Sequence, residues 1–248
     1  MIAVTSGKGG VGKSTVSLNL ALALTERGER VGLLDADIYG PDIPLMLNLK
    51  QTRPLDRWLL GRARGPVKLE PVERRGIRVM SVGFVIAESQ TMTMPAALLH
   101  GLLRQLIVDV EWGPLDYLVI DLPPGTADLQ QELVRLVPEA AAIVVVGPQD
   151  VAHLDGRKLL DLLRSANVRV LGAVENMATS TCPHCGEAID VFPPVAHERS
   201  LWAEGVERLA SIPLDPANAR ISDAAPPAVY AALAERVVGL IRPADDAQ

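Results

Sequence analysis

Residues 7–15 read Gly7-Lys8-Gly9-Gly10-Val11-Gly12-Lys13-Ser14-Thr15 and satisfy G-x-x-x-x-G-K-[ST] in full. Glycines let successive backbone N–H groups converge on phosphate oxygens with no Cβ atoms in the way. A helix opening behind them adds its positive dipole end to the same concavity. In this pattern Lys13 neutralises the β- and γ-phosphates of a nucleoside triphosphate and the Ser14 hydroxyl ligates Mg²⁺. Mg²⁺ keeps much of its hydration shell, so the pattern also needs carboxylates at the ends of neighbouring strands. Three candidates exist. Asp121 closes Tyr117-Leu118-Val119-Ile120 and runs into the stiff turn Leu122-Pro123-Pro124-Gly125-Thr126, while Asp35 and Asp37 close Leu33-Leu34. A metal ion is what allows such carboxylates to sit together.

A second chemistry lies far downstream in Cys182-Pro183-His184-Cys185-Gly186. Two thiolates at this spacing grip one soft metal centre, yet they supply only half of a tetrahedral shell. An iron–sulfur centre, a zinc ion and a redox dithiol all remain open at this point. A redox pair calls for a strand–helix setting with Cys182 at a helix N-terminus, which the sequence does not show. A zinc site closed within one chain needs more ligands than the nearby His184 and His197 offer.

These residues need a frame, and short β-branched runs alternating with helix-period segments supply it, the pattern of βαβ units and a parallel sheet. Strands are predicted at Ile2–Ser6, Val31–Asp35, Ile77–Gly83, Tyr117–Asp121, Ala141–Gly147, Val168–Glu175 and Arg208–Ile212. Helices are predicted at Ser14–Arg27, Pro95–Val110, Leu129–Leu136, Val151–Ser165, Val195–Ala203 and Ala228–Ile241. Val16, Leu20 and Leu24 form the stripe of the first helix, with Gly28 as its stop, and Val229, Leu233, Val237 and Leu240 form that of the last. His100 and His153 read as ordinary helix residues. Thr179–Pro194, which holds both cysteines, reads as an ordered loop inserted between a strand and the next helix.

The chain has 248 residues, 48% of them hydrophobic and 22% charged, with a formal net charge of −6. That composition excludes wholesale disorder. No apolar run approaches the roughly 20 residues needed to span a bilayer. The N-terminus has neither the basic start nor the cleavage site of a signal peptide, so a cytoplasmic, reducing location is expected and a structural disulfide is not. Residues 53–78 carry eight basic and three acidic side chains (Arg53, Arg57, Arg62, Arg64, Lys68, Arg74, Arg75 and Arg78 against Asp56, Glu70 and Glu73) and read as a solvated hairpin. No repeat, low-complexity tract or linker divides the chain, and one domain over 1–248 is expected.

The order of these motifs resembles a known family. Lys8 inside the glycine-rich loop matches the deviant P-loop class that includes the nitrogenase iron protein, septum-site and partition ATPases and arsenite pump ATPases. Asp35-Ala36-Asp37-Ile38-Tyr39-Gly40-Pro41-Asp42-Ile43-Pro44 resembles switch I, and Asp121-Leu122-Pro123-Pro124-Gly125-Thr126-Ala127-Asp128 switch II, of the Mrp/Nbp35/ApbC iron–sulfur carrier ATPases. Pro148-Gln149-Asp150-Val151-Ala152, Glu175-Asn176-Met177 and Ile212-Pro213-Leu214-Asp215-Pro216 are similar to further stretches of that family, and Cys182–Gly186 falls where it carries CPxCG.

The resemblance implies a single-domain α/β P-loop NTPase with a mostly parallel central sheet and helices on both faces. It implies an ATP-binding, ATP-hydrolysing carrier that holds a [4Fe–4S] cluster between two subunits and passes it to apoproteins, with ATP and Mg²⁺ as cofactors. Zn²⁺ could stand in the cluster's place. On this reading Gly7 to Thr15, Asn176 and Pro213 bind nucleotide, with Asn176 reading the adenine. Lys8 reaches the nucleotide of the partner subunit, Lys13 serves the phosphates, and Asp37 positions the attacking water. Ser14, Asp35 and Asp121 serve Mg²⁺, and Cys182 and Cys185 from each of two chains complete four thiolates.

Departures lie at Met94–Gly101, where the family tends to carry an Arg-Gly-Pro element, and at Phe192-Pro193-Pro194-Val195-Ala196, where it has a Gly-rich stretch. The small domain that many bacterial members carry before the P-loop is expected to be absent. The competing reading is a spatial-positioning ATPase like ParA or MinD, acting on DNA or membrane. It is disfavoured because the acidic C-terminus is no amphipathic anchor and residues 53–78 are the only basic face. Neither nucleic acid nor membrane is expected as a partner.

Overall fold

In a computed structural model, residues 1–38, 40–49, 69–84, 96–125, 139–182, 184–215 and 225–242 are described. The predicted helix at Leu129–Leu136, Thr126, Ala127 and Asp128 of switch II, Tyr39, Pro95, Pro216 and the 53–68 part of the basic segment lie outside them.

The described strands form one sheet. They are β1 (Ile2–Thr5), β2 (Val31–Asp35), β3 (Val72–Arg74), β4 (Ile77–Ser81), β5 (Tyr117–Asp121), β6 (Ala141–Val146), β7 (Val170–Thr181), β8 (Ala188–Asp190) and β9 (Arg208–Leu214). Their order is β3-β4-β2-β5-β1-β6-β7-β8, with β9 also pairing β7. Only β3 and β8 run antiparallel to their neighbours. Every residue of β1, β2, β5 and β6 is buried, so both faces of the sheet's centre are covered. That is why these strands read as continuous apolar runs rather than as alternating ones. In a sheet of this kind ligands bind beyond the carboxyl ends of the strands, where the order switches. Here β1 lies between β5 and β6, and it delivers Ser6 and the glycine-rich loop to that edge.

The helices are α1 (Lys13–Glu26), the single turn α2 (Ile43–Met46), α3 (Ala96–Val108), α4 (Asp150–Ser165) and α5 (Ala228–Ile241). Gly28 stops α1 as expected: at φ 88° it accommodates the left-handed turn in which its N–H donates to the Thr25 carbonyl at 2.9 Å. Burial in α1 exceeds the predicted stripe, since every residue from Val16 to Leu24 is covered. In α5 the covered stripe is Tyr230, Leu233, Ala234 and Val237, one residue round from the predicted one, because α5 packs on α1 as well as on β9.

Two expectations are corrected. Val195–Ala203 is not a helix but two 3₁₀ turns, His197–Arg199 and Leu201–Glu204. Ser200 between them is extended, and its hydroxyl donates to the His197 carbonyl at 2.7 Å, a local bond that competes with helix. Thr179–Pro194 is not simply a loop. Strand β7 continues to Thr181, and β8 returns beside it, with Thr179 opposite Asp190 and Thr181 opposite Ala188. The cysteines therefore lie at the tip of a hairpin. The described end of the basic segment is also a hairpin, β3–β4, turning through Arg75 and Gly76, both at positive φ as a two-residue turn requires.

Candidate nucleotide site and thiolate pair

The glycine-rich loop is shaped by two close approaches. A Cβ on Gly7 would lie 2.3 Å from the Asp155 carbonyl oxygen, so the loop's first residue rests directly on the backbone of α4. Gly12 caps α1 at φ 79°, and a Cβ there would lie 2.2 Å from the Asn176 side-chain nitrogen. Asn176 is buried on β7, and its Nδ2 donates to the Val11 carbonyl at 2.8 Å, clamping the loop to the sheet. The Ser6 hydroxyl donates to the Lys8 carbonyl at 3.0 Å, and the Gly125 N–H donates to the Ser6 carbonyl at 2.9 Å, which folds the start of switch II against the loop. Lys8, Gly9 and Gly10 are exposed, whereas Lys13 is buried. Ser14 and Thr15 are half-buried at the start of α1. Pro213 lies on β9 in the irregular stretch beside β7, between the Asn176–Ile212 and Ser180–Leu214 pairs.

The three aspartates converge. Asp35 and Asp121 are direct neighbours in the parallel β2–β5 register. Lys13 Nζ lies 2.8 Å from Asp121 Oδ1 and 3.6 Å from Asp37 Oδ2, so one cation serves two carboxylates in the buried pocket. Asp121 Oδ1 also accepts a hydrogen bond from the Ser17 hydroxyl at 2.7 Å, while Oδ2 is buried without a partner among the described residues. A buried carboxylate oxygen left unpaired is costly unless something else satisfies it. A hydrated Mg²⁺ fits that requirement, and with the Ser14 hydroxyl, 3.5 Å from Lys13 Nζ, as a further ligand the donor set would be all oxygen, as Mg²⁺ prefers.

Asp35 is differently placed. Its Oδ1 accepts from the Asp37 N–H at 3.2 Å, and its Oδ2 accepts from the Ser81 hydroxyl at 2.8 Å and the Ile43 N–H at 3.3 Å. Both oxygens are thus engaged by switch I and by the end of β4. Burial, and then the charge on Asp121, push the Asp35 carboxyl well above the usual carboxylate range, against the pull of Ser81, Lys13 and the Asp37 N–H.

At the hairpin tip the Cys182 N–H donates to the Glu187 carbonyl at 2.8 Å and the Gly186 N–H donates to the Cys182 carbonyl at 2.9 Å, with Gly186 at φ 76°. The turn aims backbone N–H groups of Cys185 and His184 at the Cys182 sulfur, and these, with the Cys185 thiol, lower the Cys182 pKa. Hydrogen bonds to the charged form favour it, so the backbone predisposes Cys182 to be a thiolate ligand. Both cysteines are free, and Cys185 is exposed. Among the described residues no group of three or more His, Cys, Asp or Glu is arranged to hold a metal ion.

Ser17 and Ser81 escaped the sequence reading. Ser17 could have been found, because it stands four residues beyond Lys13 on the same helix face. Ser81 carries no such signal; only the β2–β4 register sets it opposite Asp35. His153 proves to be fully buried, its Nδ1 accepting from the Leu201 N–H at 3.0 Å and thereby anchoring the second 3₁₀ turn to α4.

A glycine-rich loop between a parallel strand and a helix, with buried lysine and strand-end aspartates beside it, defines a P-loop nucleoside triphosphatase. The chain belongs to the NUBPL iron-transfer P-loop NTPase family within the ParA grouping, whose model matches residues 1–242. It is 46% identical over 215 residues to the iron-sulfur cluster carrier protein of Pseudomonas fragi, covering 86% of this chain and 72% of that one. To the protein of the same description from Methanocaldococcus jannaschii it is 41% identical over 231 residues, 92% of this chain and 77% of the relative. Of the Aquifex aeolicus counterpart the chain spans 61% of the length.

Among solved structures, an Archaeoglobus fulgidus nucleotide-binding protein in complex with ADP superposes with a TM-score of 0.72 at 35% identity, covering 94% of this chain and 86% of that one. The cell division ATPase MinD of Pyrococcus furiosus superposes at 0.67 with 23% identity, covering 96% and 98%, which shows a shared fold alone.

Proposed function

We propose that this chain binds MgATP at the Gly7–Thr15 loop, hydrolyses it, and as a homodimer holds an iron–sulfur cluster on Cys182 and Cys185 of both subunits for transfer to apoproteins. The observation that carries the reading is that one strand, β7, serves both ends: Asn176 grips the P-loop through Val11, and the same strand runs on to present the Cys182–Cys185 turn. The family membership and the names of the relatives support it. Mg²⁺, when bound, neutralises charge on the phosphates.

The remaining roles belong to the chain. Loop N–H groups and Lys13 bind the phosphates, Asp37 orients the attacking water, and Asp121 with Ser14 holds the metal's shell. Asp35 serves that shell chiefly through the aspartates around it, since its own oxygens are taken. Asn176 and Pro213 border the base, and exposed Lys8 reaches toward the partner's nucleotide. Two thiolates per chain make four in a two-fold dimer, the number a [4Fe–4S] cargo uses, and such an exposed, shared site can release it.

The test is anaerobic reconstitution followed by iron, sulfide and nucleotide-binding assays. The wild type should hold about one cluster per dimer, by the four-thiolate count. Replacing Cys182 and Cys185 with alanine should abolish cluster binding and leave ATP binding intact. Full iron and sulfide in the double variant would refute the reading.

A further inference from the structure

Asp121 is held by two donors, and both of them reach one of its oxygens. Lys13 Nζ at 2.8 Å and the Ser17 hydroxyl at 2.7 Å meet at Oδ1, leaving Oδ2 buried and unpaired among the described residues. The Ser17 oxygen also lies 3.0 Å from the Lys13 carbonyl. A hydroxyl has one proton, and the shorter, charge-assisted contact with the carboxylate claims it. A P-loop lysine turns to the β- and γ-phosphates when nucleotide is present. A Lys13 engaged by phosphates would give up Oδ1, and Ser17 would be the donor that remains on it.

We infer that Ser17 is a positioning residue for the metal: it fixes Oδ1 of Asp121 so that Oδ2 stays the oxygen available to hydrated Mg²⁺ once Lys13 has turned to the phosphates. The inference rests on the MgATP reading above. It adds a residue that touches neither nucleotide nor metal. Ser17 is fully buried on the inner side of α1, fixed by the helix, so its hydroxyl has little freedom to choose another partner. Without it, Oδ1 would lie buried and unpaired in the nucleotide-bound state, and the carboxylate could turn either oxygen inward.

The test is equilibrium binding of a fluorescent ATP analogue to the full chain, in EDTA and in saturating Mg²⁺, for wild type, Ser17→Ala and Ser17→Thr. The ratio of the two dissociation constants measures what Mg²⁺ adds, and a merely structural defect would weaken both constants alike. Ser17→Ala should keep its Mg²⁺-free affinity within about twofold of wild type and lose roughly five- to tenfold of the Mg²⁺ enhancement, the net worth of an ordinary intramolecular hydrogen bond. Ser17→Thr, which keeps the hydroxyl, should recover most of it. An unchanged Mg²⁺ enhancement in Ser17→Ala, or an equal fall in both affinities, overturns the inference while leaving the MgATP reading intact. A wild type with no Mg²⁺ enhancement at all overturns that reading and the inference with it.

Discussion

At the scale of single residues, the pocket is a problem in charge accounting. Asp35, Asp37 and Asp121 surround one lysine, and burial together with Asp121 biases Asp35 toward its protonated form. For a carboxyl whose folded pKa is raised, stability is fully present below the unfolded value near pH 4 and is lost as pH rises through the folded value. Asp35→Asn keeps the shape and removes the ionisable group, at the expense of one acceptor for the Ser81 hydroxyl or the Asp37 N–H. In nucleotide-free and metal-free protein, its melting temperature should gain on wild type between pH 5 and pH 8; a gap that narrows with pH would contradict this.

Removing the cation instead should be costly. Lys13→Ala leaves buried carboxylates uncompensated and should lower the stability of the nucleotide-free protein by about 3–5 kcal/mol, measured by denaturant unfolding. At the other site, the depressed Cys182 pKa should show as selective alkylation. In reduced, metal-free protein at pH 7, iodoacetamide should modify Cys182 faster than Cys185, read by peptide mass mapping.

At the scale of elements, strain and contact can be separated by choosing the glycine. Gly28, at the end of α1, sits at φ 88° with open space where a Cβ would go, so Gly28→Ala introduces backbone strain and nothing else. It should cost about 1 kcal/mol, a fall in melting temperature of roughly 2–4 °C for a chain of this size. Gly7 has an ordinary φ but no room, and the obstacle is the backbone of α4 rather than a movable side chain. Gly7→Ala should therefore displace the P-loop or α4 and weaken nucleotide binding far more than Gly28→Ala does. Titration of ATP into both variants distinguishes the two costs. The β7–β8 hairpin shows a further element-level feature: its turn places donors on a sulfur before any metal is present, so ligand geometry is built by backbone rather than by the cargo.

At the scale of the whole molecule, the thiolate count governs assembly. Among the described residues one chain offers no group of three or more His, Cys, Asp or Glu arranged to hold a metal ion, although Glu187 Oε2 lies 3.7 Å from Cys185 Sγ, so cluster loading and dimer formation should be linked. Anaerobic light scattering should show the reconstituted wild type as a dimer, and cluster removal or the double cysteine variant should shift it toward monomer in the absence of nucleotide.

Most of the framework was legible in the sequence because its signals are local. The glycine-rich loop, the strands ending at Asp35 and Asp121, and the helix ending at Gly28 each depend on residues within a few positions of one another, where backbone sterics and burial act directly. The misreadings fell where local patterns are weak or contested. Ser200 interrupts what looked helical, and β8 is only three residues long and fully exposed, with no apolar alternation to announce it.

By itself the sequence determined the chemistry on offer: a phosphate-binding loop, strand-end carboxylates and a pair of thiols. Which of these meet was decided by tertiary structure alone. The sequence separations of 108 from Lys13 to Asp121 and of 165 from Val11 to Asn176 are bridged by sheet order and register. That register put Ser81 on Asp35, and the path of α1 past the end of β5 put Ser17 on Asp121. Those contacts are the ones that turn a set of acidic residues into an oriented site, because a buried carboxylate acts through whichever donors fix its two oxygens.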